Sequence, residues 1–532
     1  MSVVNSVAGT APVQTRRSEM RKVILGASLG TIFEWYDFFI YGTLAGILGP
    51  LFFPPSLGDT GAFLAGIATY LAGLAIRPLG ALVFGSVGDT LGRKYTFLVT
   101  IVIMGIGTAC VGLLPTYASV GLLAPILLVA LRCIQGLAMG GEYGGAAIYV
   151  AEYADDDKRG AATGWIQMTA TVGFFLSLLV VLLCERFFGS AEFKVWGWRV
   201  PFLLSLLLLA VSVYIRARLE ESPVFLQMKA QGKASKAPVM DSLKSWPNVK
   251  LMLISLFGLV GGAGIIWYTA QFYALIFLQK SLKIDAFTSY IVISCGLALA
   301  SPLFLVFGRL SDRIGRKKLV MTAMALAIVS YIPIYKGLLH FGNPDLEAAI
   351  GISPVVVTSD QCRVRFFEGP QNDCERIKEL LNVAGVPHTL KAGPGVSISV
   401  GGAEVAGYDP AAIKSALKAA KYPEKADPEK VNIPMLIVLV AFLLVYVCMS
   451  YGPLAAYLVE LYPCAIRYTS LSLPYHIGLG YFGAFMLYFA TLISTTTGDM
   501  FAGLYYPIAI AALTLVVGTL FLPETKGRDI RS

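Results

Sequence analysis

The chain reads Gly85-Ser-Val-Gly-Asp89-Thr-Leu-Gly92-Arg93-Lys94 after one apolar stretch and Gly308-Arg-Leu-Ser-Asp312-Arg-Ile-Gly315-Arg316-Lys317 after another. The shared Gly, Asp, Gly, Arg and Lys stay in register at a constant offset of 223 residues. A second echo, Glu152 with Arg159 and Glu460 with Arg467, keeps a spacing of 7 at an offset of 308. Two offsets within one repeat mean that 85 residues have been inserted into the second copy. The sequence is a duplicated unit with one insertion.

Around these repeats the composition fixes the medium. Of 532 residues, 14% are charged and 56% hydrophobic, against about 25% charged in soluble domains. So few charges cannot coat a globule in water, and apolar runs of about 20 residues read as bilayer-spanning helices. Twelve segments fit, at about 23–50, 60–84, 96–115, 119–148, 160–184, 199–216, 250–279, 286–307, 319–339, 432–452, 468–493 and 500–522. Disorder, a disulfide scaffold with 8 Cys, and a β-barrel are excluded.

Loops on the N-terminal side carry 24 Lys and Arg and the short loops opposite carry 5. The positive-inside rule therefore places both termini in the cytoplasm. It also assigns the net charge of +9 to loops and leaves no case for nucleic acid. The expected fold is an all-α membrane protein of twelve transmembrane helices in two pseudo-symmetric six-helix halves, with a small α+β periplasmic insert between helices 9 and 10. Its divisions are a tail at 1–22, a first half at 23–216, a linker at 217–249, helices 7 to 9 at 250–339, the insert at 340–431, helices 10 to 12 at 432–522, and a tail at 523–532. Parallel six-helix halves are a transporter architecture with the substrate site near mid-bilayer.

The repeated Gly-x-x-x-Asp-x-x-Gly-Arg-Lys resembles the loop signature of the major facilitator superfamily. Glu34-Trp-Tyr-Asp37-Phe, Arg77-Pro-Leu-Gly80, Gly140-Gly-Glu142-Tyr-Gly-Gly145 and Glu221-Ser-Pro-Val-Phe225 look like the metabolite:proton symporter family, which includes shikimate, alpha-ketoglutarate, citrate and proline/betaine permeases. The resemblance covers about 20–339 and 432–528. It implies a proton-coupled secondary active transporter, not an enzyme, that imports a small organic-acid-like metabolite by alternating access. It also implies a monomer in a bacterial inner membrane that uses the proton as coupling ion, with no cofactor and no metal. Segment 5 lacks the Gly-Pro kink of drug/proton antiporters, which favours uptake over efflux.

An ionised side chain at mid-bilayer needs a partner or a wet cavity. Asp37 and Arg132 fall near the middles of segments 1 and 4 and are the expected coupling pair, with a permanent structural ion pair as the bland alternative. Sugar/proton symporters of the superfamily have an acid on helix 1 and an Arg on helix 4 at these positions. Glu34, three residues earlier and on the same helical face, is a second proton candidate. Arg77 presents a fork that grips carboxylates; it either binds an anionic substrate or pairs internally with Glu34 or Glu142. Trp267, Tyr268 and Gln271 on segment 7 and Tyr475 and His476 on segment 11 supply aromatic faces and a few polar groups, as small-molecule sites do. They could equally be packing. His476 could titrate near neutrality, and family members would more often have an uncharged polar residue there.

Asp89, Arg93, Glu152 and Arg159, with Asp312, Arg316, Glu460 and Arg467, read as a gating latch between halves. In that reading the motif glycines make a tight turn, and Asp89 and Arg93 cap helix ends and pair with Glu152 and Arg159. The insert reads as strands at 354–358, 364–367 and 396–400 and amphipathic helices at 373–384 and 410–421. Its two cysteines, Cys362 and Cys374, would sit in an oxidising compartment and are a disulfide candidate. Two other functions stay open: a uniporter or exchanger of a small metabolite or compatible solute, and a membrane sensor that uses the insert.

Overall fold

The computed structural model describes residues 13–218, 220–232, 235–362 and 370–531. Among them eleven helices are long and apolar enough to cross a membrane: Ala68–Thr90, Arg93–Leu113, Leu123–Tyr153, Arg159–Phe188, Arg199–Ala217, Trp246–Ser281, Ala286–Ile314, Arg316–Gly342, Ile433–Leu461, Cys464–Thr497 and Ala502–Phe521. They hold segments 2 to 12. Segment 1 lies in the helix Val13–Phe52, beside the eleven. That helix packs along segments 5 and 6 inside the bundle, so its polar residues face protein.

The halves meet through two equivalent contacts. Arg77–Thr90 of segment 2 packs on Arg467–Ile477 of segment 11, and Leu303–Ile314 of segment 8 packs on segment 5. Glycine decides both. Gly85 and Gly88 do not make a turn: they lie inside the helix Arg77–Thr90. A Cβ on Gly85 would stand 2.9 Å from Thr469 Cα, and one on Gly88 would stand 2.8 Å from the Tyr468 ring. Gly160 and Gly308 would each put a Cβ 2.5 Å from the other's carbonyl oxygen. These are small residues that let membrane helices touch backbone to backbone. Of the glycines in the repeated motif, Gly92 and Gly315 supply the turns, with φ of +127° and +103° at the starts of segments 3 and 9.

Segment 9 ends at Gly342 and segment 10 begins at Ile433. Between them helices α1 (Pro344–Ile352), α2 (Asp373–Val383) and α3 (Pro410–Ala419) surround a sheet of β1 (Val355–Thr358), β2 (Thr389–Lys391), β3 (Ser397–Val400) and β4 (Ala403–Ala406). The strand order is β2-β1-β3-β4, with β1 parallel to β2 and the other pairs antiparallel. Alternation puts Val355, Val357, Ile398 and Val400 on the buried face against Ile377, Leu381 and Ile413. Asn343, Asn372 and Asp409 cap the three helices. The expected strand 364–367 lies outside the described residues. β2 and β4 were not anticipated; they are three and four residues long and lack a buried alternating face. Cys362 and Cys374 are disulfide-bonded, with Cα atoms 5.4 Å apart.

Candidate functional site

At the end of the bundle opposite the insert, the eight latch residues converge, but their partners are crossed. Arg467 Nη1 lies 2.9 Å from Glu152 Oε1, and Arg159 Nη1 lies 2.8 Å from Glu460 Oε1. The expectation that Asp89 pairs with Arg159 is therefore corrected: Asp89 holds Arg93, and Arg159 reaches across to Glu460. Glu152 and Arg159 sit on either side of the turn between segments 4 and 5, and the pseudo-twofold relation brings each glutamate to the arginine of the other half. Arg159 also meets Asp156 at 2.5 Å. Arg93 bonds Asp89 at 2.9 Å and stands 3.9 Å from Glu152. Arg316 bonds Asp312 at 2.6 Å and Glu460 at 3.1 Å.

The aspartates cap across the interface too. Asp89 accepts from the backbone N–H groups of Tyr468 and Thr469 at 3.2 and 3.0 Å, at the start of Arg467–Ile477. Asp312 accepts from Gly160 and Ala161 N–H at 2.8 Å each, at the start of segment 5. A carboxylate at a helix N-terminus satisfies orphan donors and the helix dipole together. Glu221 and Glu524, one after each half, accept from the N–H groups of Arg93 and Arg316 at 3.1 and 2.9 Å.

Deeper in the bundle, Asp37 and Arg132 are both buried yet do not form an ion pair. Arg132 Nη1 donates to Gln135 Oε1 at 2.9 Å, Gln135 Nε2 donates to Thr108 Oγ1 at 2.8 Å, and Thr108 faces the Asp37 carboxyl. The guanidinium sits 4.2 Å over the Tyr41 ring. Gln135 and Thr108 thus stand between the two charges, and the Thr108 hydroxyl donates to the Met104 carbonyl at 3.0 Å.

Arg77 pairs with neither Glu34 nor Glu142. Glu142 is occupied by Arg216 at 2.5 Å and by the Thr100 hydroxyl at 2.7 Å. Arg216 was missed; its only signal was an arginine in the last turn of an apolar segment, which reads as topogenic charge. Arg77 instead reaches Met139 Sδ at 3.0 Å and lies 4.5 Å over the Phe38 ring, with Nε unbonded. It is 2% exposed, and among the described residues no carboxylate pairs with it.

The aromatic residues of the second half meet those of the first. Trp267 lies 6.2 Å from Trp35 and 4.9 Å from Tyr451, Phe272 lies 6.1 Å from Phe39, and Tyr475 stacks on Tyr143 at 3.7 Å. Tyr143, Trp35 and Tyr451 complete the cluster and were not singled out, since a lone aromatic on a membrane helix carries no address. Glu34 Oε2, Asp37 Oδ1, Gln271 Nε2 and both His476 ring nitrogens have no hydrogen-bond partner among the described residues, and the His476 ring faces the Gly140 carbonyl without bonding it. Each buried polar atom left so costs about 1–3 kcal/mol.

A family described as "Sugar (and other) transporter" matches residues 23–254. The inner membrane metabolite transport protein YhjE of Escherichia coli is 33% identical over 65% of this chain and 79% of its own length. The chain belongs to the major facilitator superfamily. The shikimate transporter of Escherichia coli is 34% identical to this facilitator, over 60% of this chain and 73% of its own length. The proline/betaine transporter of Salmonella typhimurium is 38% identical over 59% of this chain. The facilitator spans just under two thirds of that relative's length, 65%. Its fold matches the proton:xylose symporter XylE with a TM-score of 0.61 at 15% identity, covering 97% of this chain and 98% of XylE. These relatives are transporters, not enzymes, and the chain is a multi-pass membrane protein.

Proposed function

We propose that this facilitator is a proton-coupled secondary transporter that imports a small carboxylate-bearing metabolite across a bacterial inner membrane, with both termini cytoplasmic and the protein acting as a monomer. The observation that carries the reading is Arg77, a buried guanidinium without a carboxylate, set among aromatic faces and unbonded polar groups. A substrate carboxylate accepted by its fork would supply the missing partner. Trp267, Tyr268 and Tyr475 would take the rest of the molecule, with Gln271 and His476 as hydrogen-bonding groups. Protonation of Asp37 would remove the negative charge that lies beyond Thr108 and Gln135 from Arg132 and so change the balance between states that open at opposite ends. Glu34 is the alternative proton site. The crossed latch would hold one end shut and break as a unit, while the aromatic contacts part.

The test is uptake into proteoliposomes under an inward proton gradient, with labelled shikimate, alpha-ketoglutarate, citrate, succinate, proline and betaine, beside Asp37→Asn and Arg77→Ala. Gradient-dependent accumulation lost in both variants is expected. Flux that persists with the gradient dissipated would replace symport by uniport or exchange. No flux of any compound would leave the sensor reading.

A further inference from the structure

The insert does not stand apart from the membrane helices. Its helix α2 places Lys378 and Asn382 on one face, where Lys378 Nζ donates to the Thr496 carbonyl at 2.8 Å and Asn382 Nδ2 to the Thr495 carbonyl at 3.2 Å. His388 N–H donates to the Gly498 carbonyl at 3.0 Å. These three bonds hold the far end of segment 11. On the other side, Lys283 Nζ donates to the Pro423 carbonyl at 2.7 Å and the Lys283 carbonyl accepts from Ala426 N–H at 3.1 Å, which holds the turn after segment 7. Contact is tight at both points. Gly385 has a φ of +59°, and a Cβ there would lie 2.6 Å from the Lys280 carbonyl oxygen; Gly498 has a φ of +77° and abuts the His388 carbonyl.

Segments 7 and 11 are the two helices that carry Trp267, Tyr268, Gln271, Tyr475 and His476. Both are interrupted by wide π-helical turns beside those residues, at Thr269–Tyr273 and Gly478–Ala484. Such turns give up regular i→i−4 bonding and leave a helix pliable. The two helices touch near the middle, where a Cβ on Gly264 would lie 2.9 Å from the Gly478 carbonyl oxygen. They meet again farther along, where the Tyr273 and Ser494 hydroxyls stand 3.4 Å apart, and the insert adds a tie beyond that contact.

We propose that the insert is that tie: it joins the ends of segments 7 and 11 and so fixes the site residues of the second half against each other, with Lys378, Asn382 and Lys283 as positioning residues. This rests on the site reading above. It predicts that the second half opens and closes at this end as one body, with movement confined to its contacts with the first half.

The test is hydrogen–deuterium exchange on the full chain in lipid nanodiscs, comparing the native protein with Lys378→Ala/Asn382→Ala, Gly498→Val and the conservative Lys378→Arg. In the first two, exchange at 277–285 and at 266–273 should rise about tenfold, although none of the substituted residues bonds to either stretch. Lys378→Arg should stay near native. In uptake assays the first two should raise the half-saturating concentration about fivefold with the maximal rate kept within about twofold. Unchanged exchange at 277–285 overturns the tie. Exchange raised at 277–285 but not at 266–273 overturns positioning and leaves a brace for the insert alone. A native protein without flux overturns the transporter reading, and the exchange pattern still decides the tie.

Discussion

Glu152 Oε1 stands 2.9 Å from Nη1 of Arg467, which lies 315 residues along the chain and in the other half. Its mirror, Arg159 with Glu460, closes the same end at 2.8 Å. Both pairs are buried, and breaking a buried pair from one side costs about 3–5 kcal/mol because a bare charge remains. Each half therefore depends on the other for its charge balance.

Cys464, buried in the latch at 2% exposure, reports on this dependence. Glu152→Gln should raise its alkylation rate by a membrane-permeant maleimide at least about tenfold, and the swap Glu152→Arg/Arg467→Glu should bring the rate back toward native. A rate unchanged by Glu152→Gln would show that the crossed pair does not hold this end.

Arg77 should tolerate no replacement at the site. Arg77→Lys keeps the charge but loses the planar fork, and the half-saturating concentration for a transported carboxylate should rise about tenfold. Arg77→Leu should abolish uptake while the protein still elutes as a monodisperse species. Equal affinity in Arg77→Lys and native protein would move the anion contact elsewhere.

The groups between Asp37 and Arg132 make a graded prediction. Asp37→Asn should abolish gradient-driven accumulation and leave exchange of labelled for unlabelled substrate. Thr108→Val removes the hydroxyl that stands between Asp37 and Gln135 and should lower accumulation by about fivefold with exchange intact. Accumulation at native level in Asp37→Asn would shift the proton to Glu34 or His476.

Docking of the insert should depend on pH through His388. Burial holds its imidazole below the usual 6.5, and the neighbouring Lys378 ammonium acts in the same direction. A base with a lowered folded value is protonated more readily when released, so docking is full above about 6.5 and weakens as pH falls below it. Exchange at 386–389 and 495–499 should be faster at pH 5.5 than at 7.5, and His388→Gln should remove the difference.

Much of this molecule could be read along the chain. The apolar runs located the spans because a bilayer core demands about 20 apolar residues whatever they pack against. The two offsets exposed the duplication and sized the insertion, since register in a repeat is a linear property. The latch residues were visible as charges at repeated spacing, and the insert helices showed as amphipathic stretches that begin at Asp373 and Pro410. Glu34, Asp37, Arg77 and Arg132 announced themselves because charge at that depth needs a reason.

Partnership was another matter. Whether Glu152 meets Arg159 or Arg467, whether Arg132 bonds Asp37 or Gln135, and whether Glu142 takes Arg77 or Arg216 are facts of where helices cross. Gly85 and Gly88 look like turn residues in a loop motif and become contact surface once segment 11 lies against them. The sequence by itself determined the medium, the duplication and the set of charged residues, because hydropathy and spacing are local quantities. Tertiary structure alone decided which charges are neutralised and which, like Arg77, are left waiting, because an ion pair is a distance between atoms and the pseudo-twofold axis sets those distances.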